Sequence, residues 1–189
     1  VGAFNDTPGG APGTLQTAQQ KLPYLADLGV NAIELMPICE FAGDFSWGYN
    51  YSHPFAPESA YGSPADLKGF IDAAHQQGIA VLLDVLYNHW GPSDLDLWQF
   101  DGWSVPPWGG IYFYNDVRAQ TPWGDTRPDY GRGEVRSYIR DNALFWLHEY
   151  RIDGLRFDST SYMRTDPNGN AIGDAWSLMQ WINDEIDAQ

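Results

Sequence analysis

The chain has 189 residues, of which 43% are apolar and 19% charged, so it is long enough for one globular domain with a buried core. Its 25 acidic and 10 basic residues give a net charge of −15, and we therefore expect neither nucleic acid nor an anionic membrane as a partner. The single cysteine, Cys39, rules out an internal disulfide bond. No signal peptide and no long apolar run are visible, which predicts a cytoplasmic protein without a transmembrane helix.

The first predicted unit is a helical region followed by a strand. Apolar residues recur at helical spacing over residues 14–29, namely Leu15, Ala18, Leu22, Leu25 and Leu28. Pro23 is expected to start a new turn within this region. An apolar strand is predicted over residues 30–36. The opening residues 1–4 are interpreted as the end of an earlier strand.

The second unit repeats this plan. Ser63 is suited to cap a helix that has Pro64 at its first position and that ends at Gly78. The nearly continuous apolar run Ile79–Val85 then predicts a strand that is buried on both faces, as in a parallel sheet.

A third helix is predicted from about Gly133, and the strand Ile152–Asp158 follows it. The predicted buried face of this helix consists of Val135, Ile139, Asn142, Ala143, Trp146 and Tyr150. A last helix is predicted over residues 174–188. Its predicted apolar side consists of Trp176, Met179, Ile182 and Ile186.

Helices that alternate with apolar strands predict an α/β fold with a parallel sheet. A doubly wound sheet and a (β/α)8 barrel both fit, but the absence of a glycine-rich phosphate loop weakens the nucleotide-binding version. A complete barrel needs about 250 residues, so about four βα units are interpreted as the first half of a (β/α)8 TIM barrel. Residues 1–189 would form this partial catalytic barrel domain, with long loops at 37–63 and 88–133 after its second and third strands. The second of these loops is interpreted as an insertion.

A half-barrel leaves two sheet edges unpaired, which are expected at residues 1–4 and 152–158. Because unpaired edges invite pairing with another chain, self-association or docking of a missing half is a further expectation.

Polar residues gather where two predicted strands end. Asp84 closes the strand 79–85, and Asn88 and His89 follow it directly. Arg156 and Asp158 alternate at the end of the next strand, so the period of two places them on one face. One interpretation is an internal salt bridge that holds the barrel together. The other is a nucleophilic or charge-stabilising carboxylate that the arginine keeps ionised.

These segments resemble the α-amylase superfamily, glycoside hydrolase family 13. The run DVLYNH at Asp84–His89 is similar to the family's D-V-x-x-N-H segment, and GLRFD at Gly154–Asp158 is similar to its G-x-R-x-D segment. The stretch from Trp47 to Pro64, with WGYN, FAP and YGSP in order, resembles glycogen branching enzymes and trehalohydrolases. The three segments follow one another in the family's order and cover nearly the whole chain.

The resemblance implies a role for each matching residue. Asp158 matches the nucleophile that forms a covalent glycosyl-enzyme, and Arg156 matches the arginine that holds this carboxylate ionised. Asp84 matches the aspartate that orients the arginine. His89 matches a histidine that bonds the sugar in the cleavage subsite, and Tyr49 matches a tyrosine that stacks on the same sugar.

Two further matches are less specific. Trp47 is expected either to bind substrate or to pack under its loop. Asn88 is a candidate substrate-binding residue and matches a position that binds calcium in many α-amylases. Branching enzymes often lack that ion, so no cofactor is expected and calcium stays an open alternative.

The chain departs from the family in its second carboxyl group. A retaining glycosidase needs a nucleophile and an acid/base about 5–5.5 Å apart. The family places the acid/base glutamate after the fifth strand, and neither Glu34, Glu40 nor Glu185 takes that place. The isolated chain is therefore expected to be a poor catalyst.

The resemblance implies a retaining enzyme that acts on α-1,4-glucans or maltooligosaccharides, by glucan branching or by hydrolysis. The alternative is a non-catalytic module for glucan binding or half-barrel assembly.

Overall fold

The computed structural model describes residues 1–7 and 9–188. Its strands are β1 (Ala32–Leu35), β2 (Cys39–Phe41), β3 (Tyr51–Pro57), β4 (Ala80–Val85) and β5 (Gly154–Phe157). Its helices are α1 (Leu15–Gln19), α2 (Leu22–Asp27), α3 (Pro64–Gln76), α4 (Gly133–Glu149), α5 (Thr160–Arg164) and α6 (Gly173–Asp187).

Three parallel strands form the main sheet in the order β1, β4, β5. The register places Leu83 beside Leu35 on one side and beside Leu155 on the other. The central strand β4 is the most buried, and its residues Val81, Leu83 and Val85 lie in the core, as its nearly continuous apolar run predicts. The parallel pairing confirms the predicted α/β fold class.

Helices α1 and α3 begin at residues whose side chains cap them. At α3, Ser63 Oγ accepts from Asp66 N and Asp66 Oδ2 accepts from Ser63 N, which satisfies two otherwise free N–H groups. At the first helical region, Pro23 lies in the first turn of α2 and separates it from α1, as predicted. All six residues predicted for the buried face of α4 are buried.

Three of the predictions about regular structure are wrong. Residues 1–4 form a turn closed by a hydrogen bond from Phe4 N to Val1 O and are not a strand. The sheet edge expected at these residues is formed by β1. The loop 37–63 contains the antiparallel pair β2–β3 and a short 3₁₀ helix. Helix α6 buries Ile182 and packs Met179 and Ile186 against the core as predicted, whereas Trp176 is 52% exposed and its ring centroid lies 5.7 Å from the Arg164 guanidinium.

The segment 88–133 contains little regular structure beyond the 3₁₀ helix Val117–Ala119. It is nonetheless well packed, because Trp90, Phe113, Tyr114 and Tyr130 all lie in the core. Across residues 1–7 and 9–188, the helices are too short or too polar to cross a bilayer.

Candidate active site

The site is built around one arginine that joins two carboxylates. Strands β4 and β5 are neighbours, and their register places Asp84 opposite Arg156. Arg156 Nη1 donates to Asp84 Oδ2 at 2.6 Å and to Asp158 Oδ1 at 2.8 Å. Both carboxylates therefore meet at the carboxyl ends of adjacent parallel strands, as the predicted alternation of Arg156 and Asp158 requires.

Asp84 is the buried member of this cluster, with 2% of its surface exposed. Its Oδ2 also accepts from the Tyr49 hydroxyl group at 2.6 Å. Its Oδ1 is buried and has no hydrogen-bond partner among the residues that the structure describes. The pKa of Arg156 is raised, chiefly by its hydrogen bond to Asp84, so the guanidinium stays charged.

Tyr49 reaches Asp84 because the preceding residue is a glycine. Gly48 has a φ of +89°, and a Cβ atom there would lie 2.1 Å from the carbonyl oxygen of Pro37. Only glycine fits this close approach, so the W-G-Y sequence has a local structural reason. Burial, and then the hydrogen bond to Asp84, raise the pKa of Tyr49 to about 12, which keeps its hydroxyl group a donor.

Asn88 and His89 form the second part of the site. Asn88 Nδ2 donates to the Asp158 carbonyl oxygen at 3.1 Å, and its Oδ1 lies 2.6 Å from His89 Nδ1. Because an amide oxygen can only accept, His89 Nδ1 carries the proton in this contact. Burial lowers the pKa of His89 to about 4, so the ring is neutral at pH 7.

One aromatic residue of the site was not among the predicted site residues. The ring of Trp123 stacks on His89, with centroids 4.8 Å apart and an angle of 16° between the planes. Its other contact is the ring of Tyr162, at 4.9 Å. Trp123 lies in the aperiodic segment 88–133, where no hydrophobic period indicates which way a side chain faces.

Trp47 lies apart from this cluster. It is 78% exposed, so the expectation that it packs under its loop is wrong. It lines a largely apolar cavity of about 950 Å³ beside β1, together with Phe45 and Met36. Its expected contact with substrate stays a prediction.

The glutamates considered from sequence make their contacts away from the carboxylate cluster. Glu34 lines the cavity beside β1. Glu40 accepts from Ser59 N at 2.8 Å, and Glu185 accepts from Trp181 Nε1 at 2.9 Å.

Glu58 is a further buried acidic residue, and burial raises the pKa of its carboxyl group. It accepts hydrogen bonds from the N–H groups of Phe41 and Ala60, which links β2 to the 3₁₀ helix that follows β3. Its raised pKa therefore has a local structural cause.

The residues present do not fit a calcium ion at Asn88. Its amide oxygen is engaged by His89 and its amide nitrogen by Asp158. Within residues 1–7 and 9–188, no group of three or more His, Cys, Asp or Glu side chains is placed to hold a metal ion.

The carboxylate–arginine–carboxylate cluster lies at the carboxyl edge of a parallel sheet, which is where α/β proteins place their functional sites. The family model "Alpha amylase, catalytic domain" matches residues 2–100, more than half of the chain. The chain therefore belongs to the alpha-amylase family, as the sequence motifs indicate.

Individual relatives agree with this assignment. The chain is 43% identical over 154 residues to the malto-oligosyltrehalose trehalohydrolase of Deinococcus radiodurans, covering 82% of this chain and 24% of that protein. It is 43% identical over 150 residues to the 1,4-alpha-glucan branching enzyme GlgB of Oceanobacillus iheyensis, and this match covers 78% of this chain and 23% of that protein. The chain thus spans about a quarter of the length of these curated relatives.

A solved structure shares the fold. It comes from Salmonella typhimurium, from a protein assigned as an alpha amylase, and superposes with a TM-score of 0.67 at 36% sequence identity. The match covers 84% of this chain and 32% of that one.

Proposed function

We propose that this chain is part of the catalytic barrel of a retaining enzyme that acts on α-1,4-glucans by branching or by hydrolysis. The observation that carries the proposal is the bridge from Arg156 to both Asp84 and Asp158. A buried charge is costly unless it is paired or has a function. Here one nitrogen atom of Arg156 donates to two carboxylates, and it does so at the carboxyl edge of the sheet, where barrel enzymes have their active sites.

Asp158 is the nucleophile of the proposed reaction. Its Oδ1 is held by Arg156, whereas Oδ2 has only a 3.5 Å contact with Asn88 Nδ2 and is the freer oxygen. It attacks the anomeric carbon, the bond to the glycosidic oxygen breaks, and a separate carboxylic acid protonates the leaving oxygen. A sugar hydroxyl or water then attacks the same carbon, Asp158 leaves as a carboxylate, and the proton returns to the acid.

The neutral side chains around Asp158 bind the sugar. His89 hydrogen-bonds a sugar hydroxyl group, while the contact between its Nδ1 and Asn88 Oδ1 fixes the orientation of its ring. The rings of Tyr49 and Trp123 offer flat apolar surfaces to the sugar's C–H faces. Arg156 holds the nucleophile in place, and Asp84 in turn holds Arg156.

The acid/base belongs to the remainder of the proposed barrel. Residues 1–189 would form its first half, with 88–133 as a loop insertion. The unpaired edges of β1 and β5 and the apolar cavity beside β1 support this arrangement, because each is a surface that further strands and helices would cover.

The proposal is tested with the protein at its natural length acting on amylose. New reducing ends indicate hydrolysis, whereas a shifted iodine spectrum without new reducing ends indicates branching. Asp158→Asn should lower kcat by about 10³-fold or more, because the amide is a far weaker nucleophile. Asp153→Asn is the matched control, since Asp153 precedes the amino end of β5 and binds Val81 N there. Equal activity of the two variants would contradict the assignment of Asp158.

A second candidate is a non-catalytic glucan-binding or assembly module. The observation that favours it is that Glu34, Glu40 and Glu185 make their contacts away from the Arg156 cluster. It predicts saturable maltooligosaccharide binding that weakens in Tyr49→Ala and survives in Asp158→Asn, without turnover by the natural-length protein.

A further inference from the structure

The segment that leaves β4 carries two of the site residues. We call residues 86–91 the strand-end segment, and it contains Asn88 and His89. We infer that Tyr51 and Tyr130 are positioning residues, whose hydroxyl groups hold the backbone of this segment so that Asn88 and His89 face Asp158. This inference rests on the proposed function and names residues that act through others, without touching the sugar.

The backbone of the strand-end segment lies beyond the sheet. The last ladder bond of β4 runs from Asp158 N to Val85 O, at 2.9 Å. The carbonyl groups of Leu86 and Tyr87 follow directly, and both residues are fully buried. Buried carbonyl groups need a partner, and the sheet supplies none at this point.

Two tyrosines supply those partners from different parts of the chain. The Tyr51 hydroxyl group, from β3, donates to Leu86 O, and the Tyr130 hydroxyl group, from the end of segment 88–133, donates to Tyr87 O at 2.6 Å. Both side chains are buried, which raises the pKa of each hydroxyl group well above its ordinary value. They therefore remain protonated donors at every working pH.

The same segment is held at further points, among them Trp90, whose N–H donates to Thr126 O and whose carbonyl oxygen accepts from Thr126 Oγ1. Tyr87 Oη donates to Asn142 Oδ1 at 2.8 Å, and Asn142 Nδ2 donates to Pro54 O at 2.7 Å, which links the segment to α4 and β3. Gly91 N donates to Tyr51 O at 2.8 Å. A Cβ atom on Gly91 would lie 2.0 Å from Asn50 O, so the backbone of the segment packs directly against the backbone next to β3 and leaves no room for a side chain.

Tyr51 thus binds the strand-end segment at both of its ends, at Leu86 and at Gly91. Because Asn88 and His89 lie between these two points, a displaced carbonyl at residue 86 or 87 shifts both side chains relative to Asp158. A misplacement of 1 Å at a reacting centre costs up to about 10²-fold in rate.

The test compares three Tyr→Phe variants in the protein at its natural length. Tyr51→Phe and Tyr130→Phe each remove one donor and keep the ring. Tyr114→Phe is the matched control, because the Tyr114 side chain is equally buried and its hydroxyl group makes no hydrogen bond to residues 86–91. The measurements are kcat and KM on amylose, and amide hydrogen exchange of a peptide that contains residues 86–91.

We expect kcat to fall about tenfold in Tyr51→Phe and in Tyr130→Phe, with KM within twofold of the wild type, because distant glucose units still bind. Exchange in residues 86–91 should rise about tenfold in these two variants and stay unchanged in Tyr114→Phe.

Two results would overturn the inference. In the first, Tyr51→Phe and Tyr130→Phe have the same kcat and the same amide hydrogen exchange as Tyr114→Phe. The other is a rise in exchange over the whole chain with kcat falling only as the folded fraction falls, since that is a purely structural effect. If the wild type does not act on amylose, the proposed function fails, whereas the exchange comparison still decides whether the tyrosines hold this segment.

Discussion

Burial gives the neutral side chains around Asp158 opposite pKa shifts. It lowers the pKa of His89 to about 4 and raises that of Tyr49 to about 12. Between these values neither side chain carries a charge, so the charges next to Asp158 are those of Arg156 and Asp84. His89 and Tyr49 therefore add no charge to the site over a wide pH range.

The shifted pKa of His89 predicts a pH dependence of stability. The folded value is about 4 and the ordinary value is 6.5, so between these pH values the unfolded chain binds a proton that the folded chain does not. Stability is therefore fully present above pH 6.5 and is lost as the pH falls towards 4. The expected loss is about 2 kcal/mol between pH 7 and pH 5, measured by urea unfolding.

The variant His89→Gln should remove this part of the pH dependence. His53→Gln is its control, because His53 has an exposed side chain. If the wild type and His89→Gln lose stability in parallel between pH 7 and pH 5, the shift assigned to His89 is wrong.

The sequence identifies most of the residues that the structure brings together at the site. Asp84, Arg156 and Asp158 share a face because strand alternation and parallel register follow simple geometry. Trp123 is missed because its position depends on how an aperiodic loop folds back on His89. Trp47 is not brought to the cluster, since the turn at Gly48 directs Tyr49 alone towards Asp84.

At the scale of elements, regular structure is predictable where a short-range signal specifies it. Helix α3 follows from its capping box, and β4 follows from its apolar run. Strands β2 and β3 are missed because β2 has only three residues and its pairing contains register shifts. Helix α5 is missed because the chain enters it through Ser159, which adopts the left-handed conformation with a φ of +47°.

The turn that carries Tyr49 provides a prediction at this scale. Gly43 and Gly48 lie in the same connection and have φ values of +77° and +89°. A Cβ atom on Gly43 would meet open space, so Gly43→Ala should cost only the backbone strain of about 1–2 kcal/mol. Gly48→Ala adds a clash with the backbone at Pro37 O, and its loss of stability should be at least twice as large.

Thermal or urea unfolding measures both losses. Gly48→Ala should also weaken maltooligosaccharide binding through Tyr49, and Gly43→Ala should not. Equal losses of stability in the two variants would contradict the close approach at Pro37.

At the scale of the whole molecule, two features act against each other. A net charge of −15 makes chains repel one another, whereas the free edges of β1 and β5 favour pairing between chains. Salt screens the repulsion over about 10 Å at 0.1 M and leaves the backbone hydrogen bonds of an edge unchanged. Association of the 189-residue chain is therefore expected to increase with salt.

Sedimentation of this chain should show species larger than 21.2 kDa at 0.2 M salt. Ala32→Lys places a charge on the exposed β1 edge and should shift the distribution towards the monomer. Gln77→Lys adds the same charge at an exposed position after α3 and controls for the change in net charge. A monomer at every salt concentration would contradict pairing through the sheet edges.

The bridge from one arginine to two carboxylates has a consequence for binding during turnover. Asp84, Arg156 and Asp158 together carry one net negative charge, which favours a positively charged sugar in the transition state. Formation of the glycosyl ester at Asp158 removes one carboxylate charge, so the cluster becomes neutral. In the proposed reaction, a cationic sugar mimic is therefore attracted to the free enzyme and is no longer attracted to the covalent intermediate. The second step consequently favours an uncharged acceptor.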